Sequence, residues 1–211
     1  VRGDTASSGK FIAVWANGNE RGSGRCGLLY HTTAPPACGK NAIQVGATNK
    51  DADTMTSFSS WGPCDDGRIK PVISAPGCAT SGGIDSCIAT SDSAYDGTYC
   101  GTSMASPAVA GVVAQLIEYC RNQGLSYCAG NGEFWPSSAK ALLMHAAVDL
   151  GNPGPDYQFG YGRILADATA DLLTNAAPSN YADLRQSTIG NQGEIETYSI
   201  NVSGSPAQLK V

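Results

Sequence analysis

Apolar residues in this chain come in runs rather than in strict alternation. FIAVWA (11–16) is an unbroken apolar run with aromatic and β-branched members, and AIQVGAT (42–48) and PVISA (71–75) are two further strand-like runs. Each predicts a buried strand. The stretch 80–99 is polar, rich in Ser, Thr, Asp and Gly, and predicts short strands and turns. At 103–120 the pattern changes to SMASPAVAGVVAQLIEYC, whose length predicts a helix and whose near-uniform apolarity predicts burial on most sides. Pro107 falls in or near the first turn, where its missing N–H does little harm, and Gly124 supplies a stop. Further helices are predicted over 138–148, with Ser137 as a cap candidate, and over 164–173. Strand runs followed by helices predict an α/β domain with a largely parallel sheet. TNAAPSN (174–180) then reads as a linker, and EIETYSINV (194–202) and QLKV (208–211) as strands too few to bury a core. The expected organisation is an α/β unit over 1–174 and the incomplete start of a β domain over 175–211.

Composition narrows the function classes. The chain has 211 residues, 26 glycines, only 15% charged residues and a net charge of −5. Low charge with ordinary apolar content predicts a globular chain, and the acidic balance disfavours nucleic acid and anionic membranes as partners. The apolar stretch 108–117 is half the ~20 residues that span a bilayer. No basic, then apolar, leader pattern opens the chain. Eight cysteines stand at 26, 38, 64, 78, 87, 100, 120 and 128, none in a CxxC pair, beside only two histidines. Zinc is therefore disfavoured, and disulfides formed in an oxidising, extracellular compartment are expected. Pairing each cysteine with its neighbour gives 26–38, 64–78, 87–100 and 120–128, each closing a short loop that would contribute about 2–3 kcal/mol.

Two strings could carry chemistry. In GTSMASP (101–107), Ser103 stands where a buried helix is predicted to begin, so free N–H groups and the positive dipole end would face it. Such a place stabilises negative charge on an attacked carbonyl oxygen. The alternative is that Ser103 or Thr102 merely caps the helix. In ANGNE (16–20), directly after the first strand, an Asn amide could donate to the same oxygen, or Asn-Gly could simply make a turn.

Together the strings resemble the subtilisin-like serine proteases, the subtilases. GTSMASP is similar to that family's nucleophile motif, with the serine at 103. A-x-G-N-E resembles its oxyanion motif, which selects Asn19 over Asn17. NAIQVGAT (41–48), SFSSWGP (57–63), SAPG (74–77) and FGYGRI (159–164) match in the family's order. DGRIKP (66–71) and the β-like tail are most similar to alkaline subtilases with a C-terminal β-sandwich domain, so 175–211 would open that domain.

The resemblance implies a secreted serine endopeptidase acting on protein or peptide substrates through an acyl-enzyme. Ser103 would be the nucleophile, and Asn19 with the Ser103 N–H the oxyanion hole. The family's Asp and His motifs, which precede the oxyanion string, do not occur here. Asp4 lies too close to the first strand, and neither His31 (LLYHTTAPP) nor His145 (LLMHAAV) has the catalytic context; His145 is expected to be a partly buried helix residue. The Asp and His are thus expected from a missing N-terminal part of the same catalytic domain, and the isolated chain is expected to be almost inactive and prone to aggregation at an unpaired sheet edge. A non-catalytic binding module is the competing class. Sedolisins are disfavoured by Asn at the oxyanion position, and α/β-hydrolases by the lack of G-x-S-x-G.

The chemistry calls for no cofactor. The family's structural calcium has oxygen donors available in Asp65, Asp66, Asp149, Asn152 and Asp156, but the spacing assigns none of them. Cys100 is expected to stiffen the approach to Ser103, and Met104 beside it to be a site of damaging oxidation. Strand 11–16 and loop 17–24 would form one wall of the primary specificity pocket, with Trp15 and Asn17 bulky for that role.

Overall fold

The computed structural model describes residues 4–5, 9–22, 28–79, 88–91, 94–96, 99–125, 128, 134–175, 184–187 and 189–199. Its centre is a three-stranded parallel sheet in the order β3 (Val14–Ala16), β4 (Ile43–Asn49), β5 (Ile73–Cys78). β4 lies in the middle and is buried along all but its last residue, Gln44 and Thr48 included. β3 lies at an edge and is shorter than the 11–16 run. Phe11 and Trp15 are about half exposed, so the edge position leaves the run's apolar side chains without a cover on one side. Two short antiparallel pairs complete the strands: β1 (Asp4–Thr5) with β2 (Gly9–Lys10), and β6 (Ile88–Ser91) with β7 (Ala94–Asp96). The second pair falls in the polar 80–99 stretch, the remainder of which lies mostly outside the described residues.

Three helices follow, α1 (Thr102–Asn122), α2 (Pro136–Ala146) and α3 (Ala166–Asn175), each within a few residues of its predicted span. α1 packs across β3, β4 and β5, and α2 packs on α3. Ala105, Val109, Val113 and Leu116 of α1 meet Ile43, Val45, Ala47, Ile73 and Ala75 of the sheet. Each fully buried Val or Leu of this kind contributes about 1.5–3 kcal/mol of burial. Residues 159–164 close against β5, where Ser74 N donates to the Gly162 carbonyl and Ile164 N to the Ser74 carbonyl.

Four expectations need correction. Helix α1 is buried on one face only: Pro107, Ala108, Ala110, Gly111 and Ala114 are exposed, because no described element covers that side. Pro107 is the sixth helical residue, just beyond the first turn, and the helix continues through it. The disulfides join Cys38 to Cys64, Cys78 to Cys100 and Cys120 to Cys128. Only the last is a pair of sequence neighbours, because the parallel sheet brings distant loops together at the strand ends. Cys26 and Cys87 lie outside the described residues. Residues 194–199 form no strand, and Ile195 and Tyr198 are exposed, with no described strand beside them; residues 200–202 of the predicted run lie outside the described residues. The 208–211 run and the linker at 176–180 lie outside the described residues.

Candidate active site

The parallel strands deliver two loops to one end of the sheet. β5 ends at Gly77-Cys78, and the chain returns to this point at Cys100-Gly101, where α1 begins. The Gly77 carbonyl accepts the Gly101 N–H at 3.0 Å, and the Cys78–Cys100 disulfide fastens the same two segments. Gly77 is required by this approach, since a Cβ there would lie 2.6 Å from the Gly101 carbonyl oxygen. The disulfide thus does what the sequence expects of Cys100: it holds the chain three residues before Ser103.

The second loop leaves β3 as Asn17-Gly18-Asn19-Glu20 and is gripped by Ser60. Ser60 N donates to the Gly18 carbonyl at 2.9 Å, Ser60 Oγ accepts from Glu20 N at 2.9 Å, and the Ser60 carbonyl accepts from Asn17 Nδ2 at 2.6 Å. Gly18 turns with φ of 112°, a conformation that favours glycine, and a Cβ there would meet Ser60 Oγ at 2.9 Å. Asn17 is fully buried, also donating to Thr33 Oγ1 at 2.9 Å, so its side chain anchors the loop.

Thr102 joins the two loops. Its backbone N–H and its hydroxyl both donate to Asn19 Oδ1, at 3.0 and 2.9 Å, and its Oγ1 accepts the Gly18 N–H at 3.2 Å. The local cap position, Gly101, offers no side chain, so a residue 83 positions earlier caps the helix. These bonds also fix which way the carboxamide faces. A backbone N–H can only donate, so the atom opposite it is the amide oxygen, and the Nδ2 donors point the other way. A methyl group built on Gly101 would stand 3.4 Å from Asn19 Nδ2, 3.5 Å from Ser103 N and 3.6 Å from Met104 Sδ. One small volume is therefore bordered by a carboxamide donor, a backbone donor at a helix N-terminus, and the Met104 sulfur. Ser103 itself is exposed, as is Asn19.

The structure therefore brings together the two residues singled out in the sequence. Thr102 is the one that sequence reasoning considered only as a cap; its position between Gly101 and Ser103 was the available signal. His145 is exposed, not partly buried, with Nδ1 against the Ala141 carbonyl at 3.1 Å on its own helix. His31 is exposed in a turn whose N–H donates to the Gly62 carbonyl, and Asp4 pairs in β1 opposite Lys10. Trp15 stands exposed on β3, two residues before the buried Asn17.

Two of the oxygen donors considered for calcium, Asp149 and Asp156, serve the backbone. Asp149 Oδ2 accepts from Gly154 N at 2.8 Å, and Asp156 accepts from Asn152, Gln158 and Phe159 N–H groups. Asp66 pairs with Arg68 at 2.7 Å, which with the hydrogen bond holds its carboxyl below the usual range. Among the described residues no three His, Cys, Asp or Glu side chains gather as a metal site.

A profile described as the subtilase family matches residues 2–162. The chain belongs to the subtilase family. An Arabidopsis thaliana protein named Subtilisin-like protease SBT6.1 is 34% identical over 183 residues, covering 82% of this chain and 15% of its own length. The Bacillus subtilis Serine protease AprX is 31% identical over 159 residues, 69% of this subtilase chain and 33% of AprX. A Xanthomonas campestris protein named Extracellular protease is 43% identical over 141 residues, 66% of the chain and 21% of its own length. Among solved structures, the Clostridium perfringens CspB protease superposes with a TM-score of 0.59 at 28% identity, over 70% of this chain and 30% of that one. The Patellamide maturation protease PatA gives 0.57 at 25% identity, over 77% and 51%. The subtilase chain thus spans a third or less of the length of these curated relatives.

Proposed function

We propose that this subtilase chain is the nucleophile-bearing part of a secreted serine endopeptidase. Ser103 Oγ attacks the carbonyl carbon of a peptide bond. A histidine from a further segment of the same catalytic domain takes the hydroxyl proton, and an aspartate from that segment orients the histidine. The carbonyl oxygen becomes an oxyanion and accepts from Asn19 Nδ2 and Ser103 N–H. The histidine then protonates the leaving amine, an acyl-Ser103 forms, and water releases it by the reverse sequence. No cofactor enters these steps. Residues 1–174 belong to the catalytic unit and 175–211 to a linker and the opening of a β-sandwich domain.

One observation carries the reading: the Asn19 carboxamide, locked through its oxygen by Thr102, borders the same small volume as Ser103 N. A helix cap alone would need only the oxygen. The exposed small-residue face of α1 directly after Ser103, and the edge strand β3, favour a further segment docking on this side. Secretion accords with three disulfides and with relatives named as extracellular proteases.

The test is labelling by a fluorophosphonate of the polypeptide extended to include an Asp- and His-bearing segment. The expected result is modification at Ser103, abolished by Ser103→Ala, with the 211-residue chain alone nearly unreactive. Removal of the base costs on the order of 10⁶ in turnover, a figure known from subtilisin, a member of this family. An extended polypeptide that stays unlabelled while folded would favour the non-catalytic binding module instead.

A further inference from the structure

At the opposite end of the sheet from Ser103, where β4 and β5 begin, four cations crowd around one loop. Lys70 is 2% exposed, and its Nζ donates to the Gly39 carbonyl at 3.0 Å and to Gln44 Oε1. Lys140 of α2 donates from Nζ to the next carbonyl, that of Lys40, at 3.1 Å. Two ammonium groups thus bind adjacent peptide units. Arg68 acts electrostatically on both of them, and Lys40 on Asp66. Among the described residues, the anionic groups nearby are Asp66, already paired with Arg68 Nε, and its chain neighbour Asp65.

This arrangement is unbalanced in a chain whose net charge is −5. Burial, then Lys140, then Arg68 push the Lys70 amine down to about 7, and burial and Arg68 lower that of Lys140 as well. Buried charges are normally paired. Here mutual repulsion is left standing, and one donor is orphaned: Arg68 Nη1 is buried and has no hydrogen-bond partner. The outer rim is open to solvent, since Lys40 is exposed and the Arg68 side chain is 32% exposed. A guanidinium edge with free N–H groups beside ammonium donors matches the several acceptor oxygens of a compact dianion better than it matches a halide.

We infer that Lys40, Arg68, Lys70 and Lys140 form a binding site for a small multivalent oxyanion of the sulfate or phosphate type, held at the Gly39–Lys40 loop on the sheet end remote from Ser103. The Lys140 ammonium and the solvent-facing edge of the Arg68 guanidinium are its direct donors. Lys70 contributes charge from beneath and braces the loop through Gly39. The bound ion ties α2 to the loop before β4 and to the loop before β5, so it stabilises the fold without taking part in peptide hydrolysis.

Inorganic sulfate is the probe, because its charge does not change near neutral pH. Calorimetric titration of the full chain at pH 6.5, against sodium chloride at matched ionic strength, is expected to give one sulfate per chain. At ten times its dissociation constant, sulfate should raise Tm by about 3–5 °C. Arg68→Gln combined with Lys140→Gln should weaken sulfate at least tenfold, whereas Arg121→Gln, on α1, should leave it unchanged. A sulfate response equalled by chloride in the unmodified chain would overturn the site, and this comparison holds even if the double variant fails to fold. Full sulfate affinity in a folded double variant would overturn it too.

Discussion

The cap and the proposed oxyanion donor use opposite ends of the Asn19 side chain, and the two can be separated. Oδ1 accepts from Thr102 N at 3.0 Å and from Thr102 Oγ1 at 2.9 Å, while Nδ2 borders the volume beside Ser103 N. Asn19→Ala removes both ends. The buried Thr102 then loses its only helix-capping partner in the loop and one hydroxyl acceptor. Loss of a cap costs about 1 kcal/mol and loss of a second hydrogen bond about 1 more. At about 2–4 °C per kcal/mol for a chain of this size, Tm should fall by roughly 4–8 °C. Asn19→Asp keeps an acceptor in place and puts a negative charge at the N-terminus of α1, which is favourable by about 0.3–1 kcal/mol. Its Tm should equal or exceed that of the parent. In the extended catalytic polypeptide, both variants should lose about 10²–10³ in kcat on a peptide substrate, the range measured on removing one oxyanion donor in subtilisin, a relative. Thermal melts and peptide turnover on the same samples decide the matter. Asn19→Asp turning over within threefold of the parent would refute the donor role. An Asn19→Asp as unstable as Asn19→Ala would refute the capping role.

Thr102→Val removes the hydroxyl that bridges Asn19 Oδ1 and Gly18 N, and should cost about 1–3 kcal/mol in denaturant melts and lower kcat with little change in KM, with Thr102→Ser restoring both. Lys70 has an ordinary amine pKa when unfolded and about 7 when folded, so between those values the unfolded chain binds more protons and stability rises with pH. The rise between pH 7 and 10.5 should be on the order of 5 kcal/mol, and Lys70→Met should flatten it; a slope unchanged by the substitution would contradict the burial argument. Peroxide should slow the extended enzyme by adding an oxygen to Met104 Sδ beside the volume proposed for the oxyanion, and Met104→Leu should resist, as followed by mass spectrometry with turnover.

Local pattern carried the elements whose environment is uniform. β4 was legible because it lies between two strands, β5 because α1 and residues 159–164 cover it, and α1 because twenty-one residues of helix outlast any buried strand. The 11–16 run was read too long, since a strand's burial depends on a neighbour and β3 stands at an edge. The same limit applies to the outer face of α1, where Ala108 and Gly111 have the composition of a packed surface but no described element on them. Ser103 and Asn19 were legible through their motifs, whereas Thr102 could be told from a plain cap only once the chain had folded an 83-residue separation into 3 Å. Two of the disulfides follow which loops meet in the fold rather than spacing, which is why Cys38 finds Cys64 and passes over the nearer Cys26. Nothing in DGRIKP announces that its lysine is buried, because the carbonyl that receives it belongs to Gly39, 31 residues earlier.

The central claim concerns where one oxygen sits. A crystal structure of the extended enzyme with a phosphonate bound to Ser103 Oγ tests it directly. The phosphonyl oxygen should lie within about 3.1 Å of both Asn19 Nδ2 and Ser103 N. An adduct whose oxygen points to solvent, or in which Asn19 Nδ2 has turned to another partner, would contradict the account.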